Sequence, residues 1–139
     1  MATLHLPQTV QASLNDWVRQ GYPLETCGLL LGTTNNNQRE VIAACQARNL
    51  NRDRAGDRFE IDPDDFMAAD TAVRHVGLEV VGVWHSHPDH PAEPSETDRA
   101  SAWPNWSYLI LSVTATGVAA SRSWALTTGR AFKEEAIRS

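Results

Sequence analysis

The chain has 139 residues, the length of one ordinary domain, and its 42% apolar and 21% charged residues suit a globular core that needs no covalent staples. A formal net charge of −5 argues against a nucleic-acid partner, and no apolar run approaches the roughly 18 residues of a membrane span. Cys27 and Cys45 sit in apolar, strand-like runs and read as free thiols, and the N-terminus lacks a secretory pattern, so a cytoplasmic protein is expected.

In chain order, Thr3 to Leu6 predicts a short strand. Pro7 suits a helix start, and Val10, Leu14, Trp17 and Val18 recur at helical spacing up to Gly21. Cys27 to Leu31 is a continuous apolar run expected to be a buried strand. It pairs as a hairpin with Glu40 to Ala47 across the turn residues Asn35, Asn36 and Asn37. Asn49 to Asp57 is polar and reads as a surface loop, followed by a short strand from Arg58 to Ile61. Asp62 caps a second helix opened by Pro63, with Phe66, Ala69 and Val73 inward, ending near Gly77. Leu78 to Trp84 is apolar on both faces, as in a central strand. The three prolines of Pro88 to Pro94 impose a loop, and Ser95 to Trp103 predicts a short helix. Tyr108 to Val113, Val118 to Leu126 and Phe132 to Ile137 are three further strands. The mixed order gives a single α+β domain over residues 1–139, one sheet with helices packed on it.

The chemistry concentrates in His85-Ser86-His87-Pro88, six residues, Ser95, two residues, Asp98. Side chains alternate faces along a strand, so histidines at i and i+2 point the same way, and Pro88 ends the strand beside a cleft. Two imidazoles and a carboxylate suit zinc better than magnesium or calcium, and a catalytic zinc keeps three protein ligands and one open position. Asp98 can be the third ligand. Taken alone, His-x-His is a weak signal, and Ser95-Glu96-Thr97-Asp98 equally fits a helix capping box. His90 in the loop and Cys27 beside Glu25 are minor alternatives as ligands; His5 and His75 lie far from the motif.

The whole pattern resembles the signature of the JAMM (MPN-plus) zinc metalloproteases, H-[ST]-H-P, six residues, S, two residues, D. An upstream glutamate before an apolar, Gly-rich strand completes it, matched here by Glu25 in Pro23 to Gly32. Phe59 to Pro63 and Tyr108 to Ile110 are also similar to small bacterial members, and the resemblance runs from about Leu4 to Ile137. It implies a curved mixed β-sheet flanked by helices, of cytidine-deaminase-like architecture. The deaminase signature itself, H-x-E with P-C-x-x-C, does not occur. The resemblance also implies one catalytic Zn2+ on His85, His87 and Asp98, Glu25 as general base, and Ser95 as oxyanion donor. Ser86 faces away from the metal and is expected to be structural.

Eukaryotic members of the family carry long insertions that grip two ubiquitins; here Asn49 to Asp57 and the stretch after Asp98 are short. The compact form resembles enzymes that trim residues after Gly-Gly on a ubiquitin-like sulfur carrier protein, whose tail is expected to add as a strand to an open sheet edge. A peptidase or amidase acting on an unrelated peptide, and a non-catalytic MPN-type scaffold, stay open beside it, as does a homodimer.

Overall fold

The computed structural model describes residues 2–50, 61–96, 98, 102–127 and 129–139. Its strands are β1 (Thr3–His5), β2 (Cys27–Asn35), β3 (Gln38–Ala47), β4 (Glu79–Pro88), β5 (Ser107–Thr114), β6 (Gly117–Leu126) and β7 (Phe132–Arg138). Two helices, α1 (Gln8–Gly21) and α2 (Pro63–Arg74), complete the described elements. Among the described residues, no helix is long and apolar enough to cross a membrane.

The strands run in the order β1-β3-β2-β4-β5-β6-β7 and close into a ring. This corrects the expected curved sheet to a closed one. The closure is made by β1, three residues that pair in parallel with β3 on one side and β7 on the other. So short a strand carries little alternation, and its partners lie 35 and 133 positions further along the chain (Thr3↔Gln38, Thr3↔Ala136), so nothing local announces both pairings. The sheet is mixed as expected, β4–β5 being parallel and β2–β3, β2–β4, β5–β6 and β6–β7 antiparallel.

Two apolar clusters share the sheet between them. Val10, Leu14 and Val18 of α1 pack with Leu4, Leu30, Val41, Trp84, Leu109 and Leu111. Phe66, Ala69 and Val73 of α2 pack against Leu29, Leu31, Val80, Val83 and Tyr108 on the other side. Strand alternation explains the division: Leu29 and Leu31 face α2 while Leu30 between them faces α1. The same rule puts His85 and His87 on the α2 side with Val83, and Ser86 on the α1 side with Trp84. Gly28 is required by this packing, because the Trp84 indole passes over it to donate to the Cys45 carbonyl at 3.0 Å. Any Cβ there would collide with both.

The helix α2 begins as its sequence predicts. The Asp62 side chain accepts from Asp64 N–H at 2.8 Å, and Pro63 occupies the first turn. Arg48, just beyond β3, reaches Asp62 at 2.7 Å and Asp65 at 3.3 Å, tying the start of α2 to the end of β3. The sequence-predicted strand at Arg58 to Ile61 and most of the Asn49 to Asp57 loop lie outside the described residues. Ile61 forms an isolated bridge with Asn49. Of the helix expected from Ser95 to Trp103, Glu96 and Asp98 are helical, Ala102 and Trp103 are not, and positions 97 and 99–101 lie outside the described residues.

Candidate metal centre

The histidine strand β4 is central, flanked by β2 and β5, and this neighbourhood fixes its end. His85 stands opposite Cys27 of β2 and Ile110 of β5, and His87 stands opposite Ser112. The ladder to β2 stops at Cys27, so the rim of β4 opens onto the segment carrying Glu25. His85 is fully buried and Glu25 nearly so.

The structure brings His85, His87 and Asp98 to one point. The two Nε2 atoms are 3.1 Å apart, and Asp98 Oδ2 lies 3.2 Å from His87 Nε2 and 3.4 Å from His85 Nε2. A tetrahedral ion bonded at about 2.0–2.1 Å places its ligand atoms roughly 3.3–3.4 Å from one another. The three donors thus already stand at the edge length of such a polyhedron. The Glu25 carboxylate joins the two histidines in a group whose ligand atoms all fall within 4.8 Å.

Hydrogen bonding presents these atoms in the right state. His87 Nδ1 lies 2.9 Å from the Pro91 carbonyl, which places a proton on Nδ1 and turns Nε2, the atom that would ligate a metal once deprotonated, toward Asp98. Burial lowers the His85 pKa and favours its neutral form, against the pull of Asp98. Burial acts likewise on His87, but Asp98, the Pro91 carbonyl and Glu25 outweigh it, and its pKa is raised. Burial works against ionised Asp98, yet the two imidazoles and the Ser95 amide hold its carboxyl well below the usual range.

Ser95 and Asp98 form the reciprocal capping box that their spacing allows. Ser95 N–H donates to Asp98 Oδ2 at 2.9 Å, and Asp98 N–H donates to Ser95 Oγ at 3.0 Å. The Ser95 hydroxyl is used there as an acceptor, so its own hydrogen stays available to donate into the cleft. Of the minor alternatives, Cys27 keeps its proton, its pKa pushed up to about 12 by burial and by the charge of Glu25. His90 is exposed on the cleft wall, and its carbonyl accepts from Ser112 Oγ at 2.6 Å.

The cleft has a volume of about 320 Å3 and is lined by Glu25, His87, His90, Glu93 and Ser95 together with Pro88, Pro91 and Pro94. Its proline-rich wall is fastened at intervals. Asp89 N–H donates to the Val113 carbonyl at 2.8 Å, Trp124 Nε1 to the Ala92 carbonyl at 3.1 Å, and Arg122 reaches Glu93 at 3.2 Å. Tyr22 donates to Asp89 Oδ2 at 2.8 Å from the far side. Sequence reasoning missed these anchors, and the only local signal for them was the proline content of the loop.

The chain is similar to known proteins over most of its length. A family described as prokaryotic homologs of the JAB domain matches residues 7–127. The chain belongs to that family, within the JAMM proteins. A curated desampylase of Haloferax volcanii is 34% identical over 116 residues, 83% of this chain and 78% of the relative. A second desampylase, of Pyrococcus furiosus, is 32% identical over 105 residues, 74% of this chain and 70% of the relative. Two solution structures share the fold. One, from Desulfitobacterium hafniense, has a TM-score of 0.84 and 29% identity, covering 96% of this chain and 90% of that one. The other, from Salinibacter ruber, has a TM-score of 0.73 and 39% identity, covering 100% and 92%. The JAB-family match spans every element from α1 to β6, including Glu25, both histidines, Ser95 and Asp98.

Proposed function

We propose that the protein is a zinc-dependent peptidase that cuts after the Gly-Gly of a ubiquitin-like protein. The observation that carries this reading is the spacing of His85 Nε2, His87 Nε2 and Asp98 Oδ2, which suits three protein ligands of a tetrahedral ion. In support, two relatives in the family are named desampylase, a name for enzymes that remove a ubiquitin-like modifier. Two free thiols fit the reducing cytoplasm expected for it.

When bound to His85, His87 and Asp98, zinc supplies Lewis-acid charge that makes water a nucleophile near neutral pH. The chain's own residues do the rest. Glu25, at the cleft beside both imidazoles, takes the proton of the attacking water and passes it to the leaving amine. Ser95 donates its hydroxyl hydrogen to the oxyanion as the tetrahedral carbon forms, while its oxygen continues to accept from Asp98 N–H. The Pro91 carbonyl holds the tautomer of His87. The proline wall borders the path of an extended tail, and glycines let that tail lie close to it because they carry no Cβ. Ring closure limits strand addition of the tail to stretches that have a strand partner on one side alone among the described residues, such as β3 beyond the Gln38–Glu40 covered by β1, β6 before Ser123, and the end of β4 after His85.

The bond after Gly-Gly is either the peptide bond of a carrier's C-terminal extension or the isopeptide bond of a conjugate. Mass spectrometry of both substrates decides between them. We expect loss of only the residues or protein attached beyond Gly-Gly. Chelator should stop the cut, and Glu25→Gln should slow it on the order of 10² to 10⁴-fold with zinc retained. Comparable cutting of unrelated unfolded peptides, or of a carrier whose last glycine is valine, would replace this reading with a general zinc peptidase.

A further inference from the structure

The peptide bond between Glu25 and Thr26 is held at both of its polar edges. Its N–H donates to Ser86 Oγ at 2.9 Å, and its C=O accepts from Asn49 Nδ2 at 3.3 Å. Thr26 is bound to Ser86 twice more: its Oγ1 lies 3.3 Å from Ser86 Oγ, and its carbonyl accepts from Ser86 N–H at 2.9 Å. Ser86 is fully buried and lies on the α1 side of β4, between two residues that face the other way. Asn49 is half-buried, two residues past the end of β3, and bridges to Ile61. None of these contacts reaches the reacting atoms.

Glu25 needs such support. It precedes β2, which starts at Cys27, so no strand ladder restrains it. A peptide plane bonded at both N–H and C=O cannot turn, and that plane sets the direction in which the preceding Cα carries its side chain. One bond comes from the histidine strand itself, and the other comes from the chain that leaves β3.

We propose that Ser86 and Asn49 are positioning residues for Glu25, clamping the Glu25–Thr26 peptide so that the carboxylate keeps a fixed distance from His85 and His87. The proposal rests on the peptidase reading above. It gives the residue between the histidines a reason to carry a hydroxyl. Strand alternation turns that residue away from the metal, where a small polar group can satisfy the otherwise unpaired amide of the neighbouring segment. Register between base and ligands is thereby set by a side chain within the ligand strand.

Two measurements test this, one of them independent of turnover. In the zinc-loaded protein, amide hydrogen exchange at Thr26 should quicken at least about 10-fold in Ser86→Ala, as expected when its own protecting bond is lost, and by a smaller factor in Asn49→Ala, which frees the carbonyl edge of the same peptide plane. Unchanged exchange at Thr26 in both would overturn the clamp, whether or not the protein is a peptidase. A wild-type chain that binds zinc yet cleaves no Gly-Gly substrate would instead defeat the function and leave the exchange result to judge the clamp.

In single-turnover cleavage of a ubiquitin-like protein bearing a fluorogenic amide after Gly-Gly, each variant should slow the chemical step roughly 10- to 100-fold. That is the cost of a misplacement on the order of 1 Å. KM, chelator-competition zinc affinity and the absorption spectrum of the cobalt form should stay as in wild type. Ser86→Thr should recover most of the rate. In a Glu25→Gln background the same Ser86→Ala change should cost under about 3-fold, since residues acting through one group do not add. An equal loss in both backgrounds, or zinc affinity falling with the rate, would assign Ser86 to the histidine strand and refute the proposal. Should Ser86→Ala not fold, Asn49→Ala carries the same test from a half-buried position.

Discussion

Two buried charged clusters occupy the same sheet, and they are built on opposite principles. On the α1 side, Glu135 Oε1 accepts from Ser107 Oγ at 2.5 Å and from Ser123 Oγ at 2.7 Å, while Oε2 lies 3.6 Å from Arg39 Nη1. Arg39 also donates from Nε to the Asn105 carbonyl at 3.1 Å. Here the cation comes with the chain, and the cluster ties β3 to β5, β6 and β7. On the α2 side, three residues along β4 from the Gly82 that pairs with Ser107, the converging atoms of His85, His87 and Asp98 are lone-pair donors. A cluster that supplies its own counter-charge is architecture; a cluster of lone pairs around one point calls for a cation from outside.

The largest effects should separate the two clusters cleanly. His85→Ala combined with His87→Ala should take zinc content from about one ion per chain to none, with the fold retained by circular dichroism. Full zinc occupancy in that double variant would break the comparison at its root. Glu135→Ala should do the reverse: it strands the Arg39 guanidinium and should cost about 3–5 kcal/mol in denaturant unfolding, with zinc uptake by the folded fraction unchanged. Metal loss accompanying that destabilisation would mean that the clusters are not independent.

Ser95→Ala gives a smaller effect that falls on both properties. Turnover should drop ~10²-fold as an oxyanion donor is lost, and stability by ~1 kcal/mol as the cap is lost. A stability loss without a turnover loss would reduce Ser95 to a cap. The smallest effect is in pH. Because Asp98 and the Pro91 carbonyl raise the His87 pKa, that ring holds its proton to higher pH in the metal-free protein. Zinc must displace this proton, so affinity should fall as pH drops through the raised value. In the metal-free protein the His87 contribution to stability has the opposite slope, being present at low pH and lost as pH rises through that same value. Calorimetric titration across pH reads the first, and urea unfolding of chelated protein the second.

What the sequence disclosed depended on how far apart the cooperating residues lie. His85 and His87 are two positions apart on a strand, Asp62 and Pro63 sit at a helix start, and Ser95 and Asp98 share one turn. Each is a short-range pattern with a geometric meaning, and each stands where its spacing implied. The sequence also placed Ser86 facing away from the metal, but not against Thr26, which is 60 positions earlier. Arg39 and Glu135 are 96 positions apart, and neither carries a local sign of the other. Ring closure through β1 was hidden in the same way, since three residues cannot advertise partners at both ends of the chain. Long-range pairing is decided by the finished topology, and one chain without its fold has no period that encodes it.

The fastened proline wall has a consequence for how a ligand's entropy is spent. With Asp89, His90, Ala92 and Glu93 already tied to β5, β6 and Tyr22, that wall has little freedom left to lose on binding. Nearly all of the ordering cost therefore falls on the incoming chain, and glycine loses more backbone freedom than any other residue. A free Gly-Gly peptide should thus be held poorly, whereas the same tail on a folded domain gains the contacts of that domain's surface. On the proposed reading, the stiff wall excludes side chains at the cut while leaving affinity to the body that carries the tail.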